Sequence, residues 1–268
     1  MGTPARVLVV AGSDSSGGAG IQADIKTLTA FSAYAMTAIT AVTVQDTTGV
    51  CSFHPVPPKI VADQIRAVLS DIGADAIKTG MLVSAAIVEA VADALAPYRS
   101  IPLVVDTVMI AKGGTALLDD AGVKAMKKWL FPMAALVTPN APEAARLAGF
   151  KVETADDLAR AGKMLVDEGA RAVLVKGGHL AGDTVTDALI DGTDTHIFRT
   201  RRIENRSTHG TGCTLASAIA AGLAQGFALK DAVIRARSYL HEAIRTGLML
   251  GHGTGPVNHP QAMPPYKS

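Results

Sequence analysis

The chain is predicted to fold as an α/β protein, with a mostly parallel sheet flanked by helices. Short β-branched runs alternate with longer helical patterns, as successive βαβ units require. Polar, glycine-rich segments follow the strand ends again and again, which is where open parallel sheets hold ligands. Hydrophobic residues make up 49% of the chain and aromatics 4%, so Ala, Val, Leu and Gly must build the core by close packing of helices on a sheet.

The first strand is expected at residues 6–11, a continuous apolar run leading into a glycine-rich turn and a helix at 20–31. Strands at 38–45, 74–78, 103–108, 135–138 and 172–176 follow. The helices between them are expected at 58–71, 84–96, 122–130, 142–148 and 154–169. After Lys176 the pattern changes. Residues 184–190, 195–200 and 203–204 read as shorter strands separated by Asp-Gly and polar turns, which suits an antiparallel edge. Helices at 211–225 and 230–248 close the chain, and the Gly-, Pro- and His-rich tail from Gly251 is expected to pack irregularly. With no linker, repeat or low-complexity segment, residues 1–268 are read as a single domain.

The net charge is +1, with no basic block and no aromatic–basic interleaving, so nucleic-acid binding has no electrostatic footprint. No apolar run reaches membrane-spanning length, and no apolar signal core precedes the first strand. The two cysteines, Cys51 and Cys213, stand far apart without metal-ligand spacing, which suits a reducing cytoplasm.

The most informative stretch is Thr208-His209-Gly210-Thr211-Gly212-Cys213-Thr214, which opens a long run of small residues. Its glycines let the backbone turn so that free N–H groups at a helix start point outward together, a setting that attracts an anion. Cys213 stands in that field. The loop after the first strand, Gly12 to Asp24, lacks the lysine of a Walker site, and its glycines would let a small ligand approach the backbone, with Asp24 accepting ligand hydrogen bonds. Gln45 ends an apolar strand, where an amide needs a partner in the protein or in a ligand. Asp106 interrupts an apolar strand, and Glu143 lies one turn into a helix entered by Asn140 and Pro142. Glu143 has two readings, a helix-start carboxylate or, with Asp106, a holder of hydrated Mg2+. Lys176, at a strand end before Gly177-Gly178, can reach a phosphate. An anion hole, a lysine and two carboxylates are the parts of phosphoryl transfer.

These residues resemble the hydroxymethylpyrimidine/phosphomethylpyrimidine kinases of thiamin synthesis, within the ribokinase superfamily. The matching words are the loop from Ala11 to Asp24, Lys78-Thr79-Gly80-Met81-Leu82, Val105-Asp106-Thr107-Val108-Met109, Thr138-Pro139-Asn140-Ala141-Pro142-Glu143, Val175-Lys176-Gly177-Gly178-His179 and the Thr208–Thr214 motif. They stand in the family's order across nearly the whole chain. The Gly-Thr-Gly-Cys ending is the most specific, because sugar kinases of the superfamily carry Asp where Cys213 stands.

The resemblance implies a ribokinase-like three-layer α/β/α fold with a small β flap, a homodimer, and ATP with Mg2+ as cofactors. It implies that Gly12, Asp24, Gln45, Met81 and Val108 line the pyrimidine pocket, with Gln45 and Asp24 reading its polar edge. Asp106 and Glu143 would organise Mg2+. Asn140, Lys176, Thr208 and Thr211 would bind ATP, and Gly210 to Cys213, with Gly212 between, would hold the transferring phosphoryl group. Lys176 and Cys213 would be catalytic, Cys213 sitting where the acceptor hydroxyl is activated. Asp46 departs from the family's pattern, where Asn is common.

The implied activity is ATP-dependent phosphorylation of 4-amino-5-hydroxymethyl-2-methylpyrimidine and then of its monophosphate. A thiol suits both steps: it can ionise for the alcohol and stay neutral for the anionic phosphate. A pyridoxal or pyridoxine kinase is the nearest alternative, and a non-catalytic pyrimidine-binding sensor a more distant one.

Overall fold

The computed structural model describes residues 3–111 and 113–260. Lys112, in the loop after the fourth expected strand, and the tail from residue 261 lie outside the described residues. In chain order the main elements are β1 (Arg6–Ser13), α1 (Gly20–Ala30), β2 (Tyr34–Gln45), β3 (Val50–Pro55), α2 (Pro58–Asp71), β4 (Ala76–Thr79), α3 (Ala85–Leu95) and β5 (Leu103–Val105). They continue with α4 (Asp120–Ala125), β6 (Leu136–Val137), α5 (Ala141–Ala148), α6 (Ala155–Asp167), β7 (Ala172–Lys176), β8 (Thr184–Asp191), β9 (Asp194–Arg201), α7 (Thr211–Ala224) and α8 (Leu229–Arg245).

The strands form one nine-stranded sheet in the order β3-β2-β1-β4-β5-β6-β7-β8-β9. The run from β2 to β7 is parallel, while β3 at one edge and β8–β9 at the other are antiparallel. Alternate side chains of β1 enter separate cores: Leu8 and Val10 pack with Ile65, Ile77 and Phe131, whereas Val7 and Val9 pack with Leu28, Ile219 and Val233. A strand buried on both faces needs the near-continuous apolar sequence found in β1, and the result is a three-layer sandwich.

Several boundaries differ from the sequence reading. Residues 203–204 form no strand, and β5 stops at Val105, so Asp106 stands just past the strand end rather than within it. The unexpected element is β3. Its side chains are largely exposed, so it carries no apolar alternation, and it is held instead by backbone pairing with β2. The helix expected at 122–130 starts earlier, at Asp120, because Asp119 caps it by accepting from the Gly122 N–H, and it runs on through a widened turn over Met126–Leu130. The tail is more ordered in its packing than its composition implies: Val257, Asn258 and His259 are buried. Thr254 N–H donates to the Thr47 carbonyl, and Gly253 N–H to the Thr47 hydroxyl.

Candidate active site

The parallel strands deliver their carboxyl ends, and the helices α1, α5 and α7 their amino ends, to one cavity of about 800 Å3. Gly12, Gln45, Met81, Val108, Asp106 and Glu143 line it. So do Asn140, Lys176, Thr208, Gly210, Thr211, Gly212 and Cys213. Segments separated by up to two hundred residues therefore meet as the loop order required. Asp24 does not join them.

Gly210 is the N-cap of α7 and has φ +80°, a left-handed conformation that glycine adopts without strain. A Cβ there would collide with the Gly18 carbonyl, so the turn into α7 is pressed directly onto the loop that opens α1. Behind it α7 is buried from Thr214 to Gly222, which explains its Ala- and Gly-rich sequence. Its exposed amino end supplies free N–H groups and the positive end of a helix dipole. A Cβ on Gly212 would stand 3.4 Å from Lys176 Nζ and 3.7 Å from Asp106 Oδ2, so this turn lies directly beside the lysine and the carboxylate.

Asp106 is 2% exposed and receives hydrogen bonds on Oδ1 from Lys176 Nζ, at 3.0 Å, and Thr138 Oγ1, at 3.1 Å. Burial opposes its charge, but Lys176 and then Lys78 outweigh burial and keep its pKa below the usual carboxylate range. Oδ2 is buried without a hydrogen-bond partner among the described residues. Glu143 fulfils the helix-start reading: its Oε2 accepts from Asn140 N–H at 2.9 Å, while Asn140 Oδ1 accepts from Glu143 N–H, closing a capping box. Thr107 Oγ1 donates to the same oxygen. Burial pushes the Glu143 carboxyl up to about 7, with Lys176 opposing and Asp106 reinforcing the rise.

Cys213 is half-buried at the first turn of α7. Burial pushes the thiol up to about 12 despite the lowering influence of Lys78, while Asp24 and Asp106 add to the rise. The resting group is a thiol. The dipole field read from sequence is overridden by desolvation and the neighbouring carboxylates.

Asp24 corrects the sequence reading. It is completely buried on α1, 3.0 Å from Lys78 Nζ through both oxygens, and it accepts a 2.6 Å hydrogen bond from Ser217 Oγ. With no exposed surface and no place in the cavity lining, this carboxylate is closed to a ligand there. Its partner Lys78, on β4, is equally buried. Burial alone would lower the pKa of Lys78, but Asp24, Cys213 and Asp106 raise it instead, so the ammonium persists.

Other residues in the cavity escaped the sequence reading. Asp14 accepts from the N–H groups of Ser16, Gly18 and Ala19, and so ties the glycine loop to the start of α1. Hydrogen bonds from His209, Ser16 and Ala19 overcome the burial penalty and hold Asp14 at about 2. His209 Nε2 lies 2.9 Å from Asp14 Oδ2 and 3.3 Å from the Gln45 amide nitrogen. Asp14 before Ser-Ser-Gly-Gly carries the signature of a side chain that caps its own loop, a signal that was readable. Arg202 donates to the carbonyls of Gly178, Leu180 and Gly182, pinning the loop after Lys176. Asp187 accepts from Gly177 N–H and Arg237 Nε. No local motif marks these last residues, because their partners lie in other elements.

The family model described as phosphomethylpyrimidine kinase matches residues 14–258. A hydroxymethylpyrimidine/phosphomethylpyrimidine kinase of Streptomyces coelicolor is 49% identical over 261 residues, covering 97% of this chain and 96% of that one. The thiamine biosynthesis bifunctional protein ThiED of Geobacter sulfurreducens is 54% identical over 254 residues, 94% of this chain, which spans 52% of that longer protein. Among solved structures, the Staphylococcus aureus pyridoxal kinase in complex with AMP-PCP and pyridoxal superposes with a TM-score of 0.88 at 37% identity, covering 97% of this chain and 94% of that one. The fold is ribokinase-like, and no helix among the described residues is long and apolar enough to cross a membrane. By the family match across most of its length, the chain belongs to the phosphomethylpyrimidine kinase family.

Proposed function

We propose that this protein transfers the γ-phosphoryl group of ATP to the hydroxymethyl group of 4-amino-5-hydroxymethyl-2-methylpyrimidine, and then phosphorylates the monophosphate to the diphosphate for thiamin synthesis. The observation that carries this reading is the convergence of Lys176, Asp106 and the amino end of α7 on the cavity that also holds Gln45, Met81 and Cys213. A phosphoryl group at the α7 turn would meet backbone N–H groups and the Lys176 ammonium. Gly12, Met81 and Val108 offer the flat apolar surface that a pyrimidine ring needs, and Gln45 the amide for its polar edge. Asn140, Thr208 and Thr211 would meet the nucleotide phosphates.

The donor set fits a divalent cation. Asp106 Oδ2 is buried and has no hydrogen-bond partner among the described residues, and the Asp106 charge is close enough to Glu143 to raise its pKa. Asp106 and Glu143 would hold Mg2+, which supplies charge neutralisation on the phosphate oxygens when bound. Lys176 holds Asp106 in place and counters the charge that builds on the transferring group. The acceptor alcohol needs little proton removal before the P–O bond forms, so a protonated Cys213 is compatible with the first transfer. A phosphate acceptor is already anionic and is spared a carboxylate at that position.

The same reading includes a homodimer in the cytoplasm. Val42 and Val44 of β2 are 52% and 60% exposed beside the edge strand β3, an apolar surface that a second copy could cover, and sedimentation would give the stoichiometry. The likeness to a pyridoxal kinase supports vitamin B6 phosphorylation as a second reading. The deciding experiment is to incubate the protein with Mg2+-ATP and the hydroxymethylpyrimidine, with pyridoxal in parallel, and identify products by mass. Monophosphate followed by diphosphate from the pyrimidine supports the proposal. Product from pyridoxal alone would move the protein to B6 salvage, and no product from either would leave a binding protein.

A further inference from the structure

His209 has none of the roles proposed above, yet its ring is fixed on several sides. A Cβ on Gly18 would collide with its Cδ2 atom, so the ring rests against a bare Cα. Its backbone N–H donates to the Gly255 carbonyl at 3.0 Å, which ties it to the tail. Its Nε2 atom lies 2.9 Å from Asp14 Oδ2 and 3.3 Å from the Gln45 amide. Asp14 already accepts from the N–H groups of Ser16, Gly18 and Ala19, so it acts only as an acceptor and Nε2 must carry the proton. The other end of the Gln45 amide lies 3.1 Å from Thr43 Oγ1, whose one proton also has the Ser13 carbonyl at 3.0 Å. An amide keeps its outline when its oxygen and nitrogen exchange places, so the neighbours decide which end is which. A nitrogen beside His209 would set donor against donor, and an oxygen beside Thr43 would compete with Ser13 for a single proton. Both conflicts vanish with Oε1 toward His209 and Nε2 toward Thr43.

We infer that His209 is a positioning residue for Gln45: its Nε2–H, braced by Asp14, holds the amide oxygen on its own side and turns the amide nitrogen toward Thr43. Each amide atom then keeps one hydrogen-bonding capacity for a ligand, an acceptor on the His209 side and a donor on the Thr43 side. A ring edge with an amino group next to a bare ring nitrogen matches this order. An edge with a carbonyl next to a ring N–H reverses it, and an amide free to rotate would take both alike. The fixed amide therefore selects amino over oxo pyrimidines, because the reversed edge sets donor against donor and acceptor against acceptor. The inference rests on the reading of Gln45 as the group that faces the polar edge of the ring.

The orientation is tested without ligand by NMR of the labelled protein. His209 Nε2 is expected to be protonated, and the Gln45 NH2 protons to lie closer to the Thr43 side chain than to the His209 ring. An unprotonated Nε2, or NH2 protons closer to the ring, overturns the inference. The selection is tested by the dissociation constants of 4-amino-5-hydroxymethyl-2-methylpyrimidine and its 4-oxo counterpart. The parent is expected to prefer the amino compound by about 100-fold. His209→Leu should bring that preference within about tenfold, and His209→Gln, which keeps an N–H, should restore most of it. Thr43→Val releases the same amide from its other end and should also erode the preference, which keeps the comparison decisive if His209→Leu does not fold. A purely structural role would weaken both ligands alike, so an unchanged ratio in these variants overturns the selection. If neither pyrimidine binds the parent, the proposed function fails and the choice of ring edge with it, whereas the amide orientation still stands or falls on the spectra.

Discussion

His209 places its Nε2 atom 2.9 Å from Asp14 Oδ2, joining the turn that opens α7 to the loop that opens α1 across 195 positions of sequence. A carboxylate held at about 2 can only accept hydrogen bonds, so His209 Nε2 carries the shared proton. The contact locks together two loops whose backbones already touch at Gly18 and Gly210.

The depressed pKa of Asp14 makes stability depend on acid pH. Its folded value lies below the unfolded one, so its contribution is complete above about pH 4 and is lost as pH falls through about 2. The contribution at neutral pH is on the order of 2 kcal/mol. Asp14→Asn is expected to lower stability in urea by a similar amount at neutral pH and to flatten this acid-dependent slope. An unaltered slope would assign the acid sensitivity to another carboxylate.

Gly210→Ala is expected to harm folding and catalysis together. The left-handed turn and the approach of the Gly18 carbonyl leave no room for a methyl group. Stability should fall by about 2 kcal/mol or more, and kcat by about 100-fold as the cradle is displaced. Denaturation and steady-state kinetics on the same preparation check both. A stable variant with normal kcat would show that the turn is not needed in this conformation.

Glu143 carries the opposite pH signature. Its carboxyl is pushed up to about 7, so between about pH 4 and about pH 7 the folded protein holds a proton that the unfolded chain releases, and stability falls as pH rises. Glu143→Gln preserves a side chain able to complete the capping box and removes the ionisation. Above about pH 7 the variant should be more stable than the parent by about 1 kcal/mol, with turnover reduced. Melting curves across this pH range measure the first effect, and a parallel pH slope in both proteins would count against it.

Cys213→Asp separates the two phosphoryl transfers. A carboxylate in place of the neutral thiol repels a phosphate acceptor but not an alcohol. The second transfer should lose about tenfold more in kcat/KM than the first, measured separately on the alcohol and on its monophosphate. Equal losses would remove the argument that a thiol serves both acceptors.

The elements legible in sequence are those whose cause is local. The span of α2 at Pro58–Asp71 and of β7 at Ala172–Lys176 follows from periodicity, flanking turns and apolar run length. Gly210 to Cys213 could be read as an anion turn because glycine spacing and a following run of small residues are local facts. The edge strand β3 was not legible, since exposed residues paired only through backbone leave no hydrophobic pattern. Arg202 was also hidden: its partners are carbonyl groups, which every residue has.

Asp24 marks the division most clearly. Sequence by itself determined that a carboxylate stands in the first helix after a glycine-rich loop, one turn beyond Gly20. Tertiary structure decided that it faces inward to Lys78, 54 residues away, and to Ser217, 193 residues away, rather than the cavity. The same holds for Cys213, whose place at a helix start is written in its neighbours but whose protonation is set by burial and by charges on other elements. Local chain chemistry specifies backbone turns and periodic faces. Desolvation and Coulomb interactions depend on distances that exist only once the sheet has assembled.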